Sequence, residues 1–385
     1  MDFDLKGSQK EIQKAAREFA KGEFDKDLAA NLDKEENFPE ALWKKAARLG
    51  LVGLHLDGAG LSLVDQVLVA EQFCAVDSSL GSSILSACRG AECLYLSGDA
   101  SLKETFLERV LEGQILSTCA FAEPGGDPDL SDITTTAIQR DKMLTLNGKK
   151  EYVVNGVLAG CFIVLCRVLS EDGSGAEPCL VLVEKKTKGV LIKPKTEKLG
   201  CRMIPVADME FCDVAVPLSN MVGKPGTGLV QAKNFLSIEQ VSKAAMVLGM
   251  ALGALQRSLA HTRLRKQFNQ AIAAFEVTRH KFADMAMRIR MARLLTLEAA
   301  FDIDRNMIRG KHDETLAAMA LFQAAKTAVH VTDESVQLLG GYGYMAEYEV
   351  ERFYRDAKSI EITQPAGLHL KEIVAKKLIG KIRAA

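Results

Sequence analysis

QLLGGYGY (337–344) and EVERFYRDAK (349–358), followed six residues past Lys358 by Gln364, form the stretch from which the rest of this 385-residue chain is best read. Gly340 and Gly341 stand where a helical pattern stops, after Gln337. A glycine pair there permits a close backbone approach, because no side chain blocks it, or serves equally as a helix-ending turn. Arg355 and Asp356 are adjacent and opposite in charge, and are expected to form an ion pair that holds the turn leading to Gln364.

Upstream of this stretch the chain is helical back to about residue 229, with no proline before Pro365. In KFADMAMRIRMARLL (281–295), Phe282, Met285, Ile289 and Ala292 share one face, the pattern of a helix packed in a bundle. Between about 120 and 228 the period changes to short alternating runs, among them CFIVLC (161–166), CLVLVE (179–184), GVLIKP (189–194) and ADMEFCDVAVP (207–217). Within LTLNGKKEYVV (144–154), Asn147-Gly148 between two strand-like runs reads as a hairpin turn. Before residue 120, EIQKAAREFAKGEF, ALWKKAARLG and SLVDQVLVAEQFCAV again place apolar residues three and four apart. Three domains are expected: a helical one over 1–119, a β domain over 120–228 built as an antiparallel barrel or sandwich, and a helical bundle over 229–385.

Composition excludes more than it selects. With 48% apolar and 26% charged residues the chain can bury large cores, and a formal charge of −1 gives no single-sign field for a nucleic acid or an anionic membrane. The lysine-rich run EKKTKGVLIKPKTEK (184–198) is expected to be a solvated strand-and-turn face. Nine isolated cysteines show no CxxC pair and no zinc-ligand spacing, and the six histidines are scattered singly, so no metal site is expected. The N-terminus lacks the basic and apolar regions of a signal peptide and no run reaches the length of a membrane span, from which a cytoplasmic protein is expected.

Helices, then strands, then helices is an α+β plan, and its motifs resemble in order those of the acyl-CoA dehydrogenase family. AEPGGDPDLSDITTTA (122–137) is similar to the family's TEPxxGSD segment, LNGKKEYVVNG (146–156) to LNGxKxWITN, LGCRMIPVADMEFCDVAVP (199–217) to LGxRxSxTxxLxFxDVxVP, and TRLRKQFNQAIAAFE (262–276) to RxxFGxPIxxFQ. The resemblance implies FAD as cofactor, an acyl-CoA substrate, an electron-transfer flavoprotein as electron acceptor and a homotetramer whose C-terminal domain is a four-helix bundle. It places Phe121, Ala122, Tyr152 and Val154 beside the flavin, with Ala122 and Val154 standing where the family has threonines and Tyr152 where it has tryptophan. Arg265 and Phe268 match positions that reach the flavin dinucleotide of a neighbouring subunit, and the resemblance gives Gln337, Gly340 and Gly341 a place at the cofactor as well.

Gln364 occupies the position of the family's catalytic glutamate, and an amide cannot accept the α proton of an acyl thioester. Members specialised for branched or long acyl groups carry the base on the first helix of the C-terminal domain, which here points to Glu239 in NFLSIEQVSKAAMVLG (234–249). Lys243, four residues on, makes an ordinary surface helix pair the alternative for Glu239. A base at Glu239 would need its proton affinity raised by apolar surroundings. Arg89, alone in the apolar run SSILSACRGAECLYL, either bridges to Glu92 or faces an anionic acyl tail. Ser131, in the 122–137 loop, is a second candidate for substrate contact. The expected reaction is α,β-oxidation of a branched, cyclic or acid-tailed acyl-CoA. The alternatives are elimination or desulfination of an acyl-CoA, flavin-dependent oxygenation, or acyl-CoA binding without catalysis.

Overall fold

The structure, a computed structural model, describes residues 4–56, 62–97, 100–307, 311–363 and 367–380. Seven helices open the chain: α1 (Gly7–Glu23), α2 (Lys26–Glu35), α3 (Glu40–Arg48), α4 (Leu63–Val76), α5 (Ser78–Leu85), α6 (Arg89–Ser97) and α7 (Ala100–Leu111). Their starts follow local chemistry. The Asp25 carboxylate accepts from the amides of Asp27 and Leu28 at the head of α2, Asp77 does the same for Ser79 and Leu80 at α5, and Ser62 and Asp65 form a capping box on α4. Helix α4 is buried nearly all round, and its Glu71 is paired with Arg293 at 2.7 Å.

Eight strands follow: β1 (Ser117–Ala120), β2 (Thr136–Arg140), β3 (Met143–Val154), β4 (Cys161–Leu169), β5 (Glu177–Glu184), β6 (Val190–Lys195), β7 (Val206–Pro217) and β8 (Met221–Val222). They make one sheet in the order β6-β7-β3-β2-β4-β5-β8, with β1 also on β4. The sheet is mixed where an antiparallel domain was expected. Strands β1 and β2 run end to end along the same edge of β4, against residues 161–164 and 167–169, and both ladders are parallel.

The hairpin expected at Asn147-Gly148 is absent, because β3 runs straight through it. The turn lies one ladder earlier, at Asp141-Lys142, where Arg140 pairs with Met143. Asn147 instead sits in a bulge opposite β7 and exchanges two hydrogen bonds with Asp213, at 3.0 and 2.9 Å. Gly148 is required by proximity: a Cβ there would lie 2.5 Å from the Thr135 hydroxyl and 2.7 Å from its Cα.

The C-terminal part begins with α8 (Gly228–Leu264), a 37-residue helix, and continues through the ribbon β9 (Lys266–Gln267) and β10 (Gln270–Ala271) to α9 (Glu276–Asn306), α10 (Glu314–Leu339), α11 (Gly341–Tyr344), α12 (Val350–Thr363) and α13 (Gly367–Ile379). Helices α8, α9, α10 and α12 form the expected bundle, with α13 against α10. Met285, Ile289 and Ala292 are buried on α9 as the pattern required, with Phe282 half-buried beside them.

Helix α8 also touches α4, α5, α6, β4 and β5, so it runs through the junction of all three parts. It crosses α4 at Gly249, where a Cβ would stand 2.6 Å from the Glu71 carbonyl oxygen. Among the described residues it is the one helix long and apolar enough to cross a membrane, and 78% of that apolar window is buried inside the protein.

Arg355 and Asp356 do not pair with each other. Arg355 bonds Glu351 and Asp33, while Asp356 is fully buried and accepts from the Ser78 and Ser79 hydroxyls and the Cys201 amide. Adjacent residues on a helix point about 100° apart, which sends these two to different neighbours. Both are structural, and together they tie α12 to α2, α5 and the 199–201 segment.

Candidate active site

A cavity of about 940 Å³ opens between α5 and α6, the loop after β1, the end of β3, the 195–206 segment, α8 and the end of α12. Helix α8 contributes Leu236, Glu239, Ser242, Lys243 and Met246, spaced three and four apart so that one stripe of the helix faces the space. Arg89 reaches it from the first residue of α6. The direction of that helix is set by Gly90, whose absent Cβ would otherwise lie 2.7 Å from the Thr118 amide nitrogen.

Glu239 and Arg89 meet. The guanidinium donates through Nη1 to Glu239 Oε1, and the Lys243 ammonium bonds the same oxygen. Arg89 therefore does not bridge to Glu92, the partner considered from sequence. Its side chain also lies against the Phe235 ring, 5.8 Å from the centroid, and among the described residues its buried Nε has no partner, nor has the buried Ser242 hydroxyl. The Glu239–Lys243 pair is the i,i+4 pair expected of a surface helix, but it faces the cavity, with Glu239 buried and Lys243 half-buried.

Electrostatics follow from this packing. Burial pushes the Glu239 carboxyl up, but the charges of Arg89 and Lys243 and their hydrogen bonds outweigh it and hold the group below the usual carboxylate range. The sequence reading asked for a raised proton affinity, and the two flanking cations give the opposite. Burial takes Lys243 down to about 8 against the pull of Glu239. Glu92, also on the cavity wall, is pushed up to about 8 by burial, with Arg89 opposing and Glu239 adding to the rise, and the Cys88 thiol donates to it at 3.7 Å.

A third buried carboxylate, Glu123, is committed to structure. Burial raises it, but hydrogen bonds from Lys150 (2.6 Å) and from Thr134 and Thr135 bring it down to about 2. The fully buried Lys150 also donates to the Phe121 carbonyl, so this pair clamps the loop that follows β1.

Phe121, Ala122, Tyr152 and Val154 all line the cavity. Phe121 packs edge-on against Phe235 at 5.8 Å. Tyr152 occupies a bulge in β3 with φ 53°, its amide donating to Asp208 and its exposed ring carrying the Lys195 ammonium 4.1 Å from the centroid. Lys195 and Lys198 line the same cavity, so the lysine-rich run is not wholly a solvated face. Ser131 is exposed, donates to Asp129 at 2.6 Å and does not line the cavity. Gln364 lies outside the described residues, although Ser359, Ile360, Ile362 and Thr363 before it form part of the wall.

The remaining candidates gather elsewhere. Arg265 ends α8, its guanidinium 5.8 Å from the Tyr342 ring centroid, and Phe268 stands 89% exposed at the tip of the β9–β10 ribbon. Gly340 closes α10 with φ 61°, its amide donating to the exposed Gln337 carbonyl, and a Cβ on either Gly340 or Gly341 would meet nothing within 4 Å. The helix-ending turn is thus present, and it is Gly343, packed on Val336, that has the close approach. Glu239 and Arg265 are 26 residues apart on one helix, about 39 Å at 1.5 Å per residue, so a single chain does not bring the two groups together.

Lys243 and Glu92 were not recognised as cavity residues from sequence. The α8 stripe carried the signal for Lys243, whereas nothing in RGAECLYL distinguishes Glu92 from a surface acid.

Three family models cover the chain: the N-terminal domain of acyl-CoA dehydrogenases matches residues 6–114, the middle domain 118–214 and the C-terminal domain 226–379. The mitochondrial isobutyryl-CoA dehydrogenase of Dictyostelium discoideum is 32% identical over 380 residues, 97% of this chain and 90% of the relative. The structure of butyryl-CoA dehydrogenase from Megasphaera elsdenii superposes with a TM-score of 0.90 at 29% identity, covering 99% of this chain and all of that one. A chain solved in work on the electron transferring flavoprotein of Acidaminococcus fermentans and flavin-based electron bifurcation also gives 0.90, at 30% identity and the same coverage.

Proposed function

Because the chain belongs to the acyl-CoA dehydrogenase family, oxidoreductases acting on CH–CH bonds, we propose that it dehydrogenates an acyl-CoA thioester at the α and β carbons with Glu239 as the proton acceptor. The observation carrying this reading is that, of the three buried carboxylates on the cavity wall among the described residues, Glu239 alone is held low by two cations and is not committed to holding a loop. Burial pushes Glu92 up to about 8, and Glu123 is bound by Lys150.

Members of the family bind FAD, and the cavity suits a flat heteroaromatic ring. Its walls are apolar at Phe121, Val153, Val154 and Val206, and its size falls within the ordinary range of cofactor sites. FAD bound there supplies the acceptor for the β hydride. Phe121, Ala122, Tyr152 and Val154 would hold the ring. Arg265, Phe268, Gln337, Gly340 and Gly341 would serve the cofactor of a second copy, which makes the working form a homo-oligomer, a tetramer by family resemblance. Electrons would pass to an electron-transfer flavoprotein.

Within this site the chain's own residues have defined tasks. Arg89 and Lys243 keep Glu239 charged and fix its carboxylate on the stripe of α8 that faces the cavity. Phe235, backed by Phe121, covers the Arg89 guanidinium on one side. The acyl group is branched, cyclic or acid-tailed, since a base approaching from α8 rather than from the end of α12 meets the α carbon from a different direction.

The test is anaerobic bleaching of the flavin by straight, branched, cyclic and dicarboxylic acyl-CoAs, run beside Glu239→Gln. Loss of the base slows bleaching about 100-fold or more. The two flanking cations favour one rival, in which Glu239 accepts no proton and the site performs a non-oxidative elimination. Bleaching unaffected by Glu239→Gln, or absent with every thioester, would turn the assignment to it.

A further inference from the structure

The arrangement around Glu239 contains a conflict that the reaction must resolve. A carboxylate bonded by a guanidinium and an ammonium is well held but accepts a proton poorly, since protonation breaks both pairs in a buried setting. The same cluster carries surplus charge. Arg89 and Lys243 set two cations on the single Glu239 carboxylate, while burial pushes Glu92, which has the His55 ring 3.9 Å away, up to about 8. Among the described residues no other carboxylate bonds to Arg89 or Lys243. Among the described residues the Arg89 Nε and the Ser242 hydroxyl, both buried on the cavity wall, have no partner. A planar oxyanion entering the cavity would use these donors and cancel the surplus.

We propose that the substrate is a short acyl-CoA ending in a carboxylate, and that this carboxylate takes Arg89 from Glu239, leaving Glu239 paired with Lys243 alone and thereby a stronger base. The inference rests on Glu239 being the proton acceptor. One residue would thus bind the acyl tail and release the base, and only an acid-tailed substrate would do both. The tail must be short, because the same guanidinium meets both the tail and the carboxylate that reaches the α carbon. A butanedioyl thioester meets this condition, its acid group being attached to the β carbon. Its oxidation breaks one C–H bond at each of the α and β carbons and forms the double bond between them; the proton goes to Glu239 and the hydride pair to the flavin. Arg89 is therefore a substrate-binding and positioning residue.

The experiment separates binding from chemistry. Dissociation constants of succinyl-CoA and butyryl-CoA are measured by calorimetry on the flavin-loaded protein held reduced by dithionite, so that neither thioester reacts. The wild type binds succinyl-CoA about 30-fold or more tighter than butyryl-CoA, and Arg89→Met brings the ratio close to one. Glu239→Gln, which frees Arg89 from its partner, widens the ratio several-fold, a result that a merely structural arginine would not give. Equal affinities in the wild type, a preference that survives in Arg89→Met, or a ratio narrowed by Glu239→Gln would each overturn the proposal. If succinyl-CoA binds with the expected preference yet bleaches no oxidised flavin, the dehydrogenase reading fails while the acid subsite stands.

Discussion

If Glu239 is the proton acceptor, two demands meet on Lys243, which must hold the Glu239 charge without abolishing its basicity. With its proton affinity brought to about 8 by burial, Lys243 is charged at neutral pH and loses its proton in mild alkali. Loss of that proton leaves Glu239 with one cation fewer, so the rate constant for flavin reduction should rise as pH increases through about 8. Glu92 titrates in the same range, and both groups feel the charges of Arg89 and Glu239. Stopped-flow profiles of Lys243→Met and Glu92→Gln beside the wild type assign the rise; it disappears in the first variant if Lys243 controls it. Glu92 also leaves a signature in stability. Its folded-state value of about 8 lies above the ordinary 4.5, so the native state binds the extra proton and stability falls as pH rises from 4.5 through 8. Glu92→Gln should flatten that fall, by on the order of a few kcal/mol, in urea midpoints measured across the interval.

At the scale of elements, the strand β3 shows where sequence reading works and where it stops. The alternation over LTLNGKKEYVV identified a strand, but Asn147-Gly148 was taken for its end. The dipeptide signals a backbone departure from the regular ladder, and a bulge meets that need as well as a turn does. What distinguishes them is Thr135, packed against Gly148 from just before β2, and no local pattern reports a tertiary neighbour. Gly148→Ala should therefore destabilise the protein by about 1–3 kcal/mol in urea denaturation. Gly22→Ala, in α1 with nothing within 4 Å of the new Cβ, should stabilise it by about 0.4–1 kcal/mol. Helix α8 gives the complementary lesson. Its Glu239 and Lys243 were legible as neighbours on one face, but whether that face met solvent or a cavity depended on α6, whose approach is set by Gly90. For the same reason Arg89 was legible as an anomaly and its partner was not. Glu239 is 150 residues away in sequence.

Over the whole molecule, the candidate residues separate into a cavity group and a group at the far end of α8. Exposed Phe268 and Arg265 belong to the second, and in a single chain they serve no contact with the cavity. If they complete the cofactor site of another copy, Phe268→Ser should lower both the flavin content of the purified protein and its assembly in sedimentation velocity, with little change in far-ultraviolet dichroism. Unchanged flavin content and assembly would restrict the site to one chain.

The unbroken course of α8 sets a condition of another kind. Each residue of an α-helix adds about 100° of rotation and 1.5 Å of length. Glu239 and Arg265 share that helix, so deleting or inserting one residue between them would turn Glu239 away from the cavity or change the bearing of Arg265 and the β9–β10 ribbon, whatever the residue was. Substitutions along the exposed side of this segment can be numerous, but its length is fixed by arithmetic.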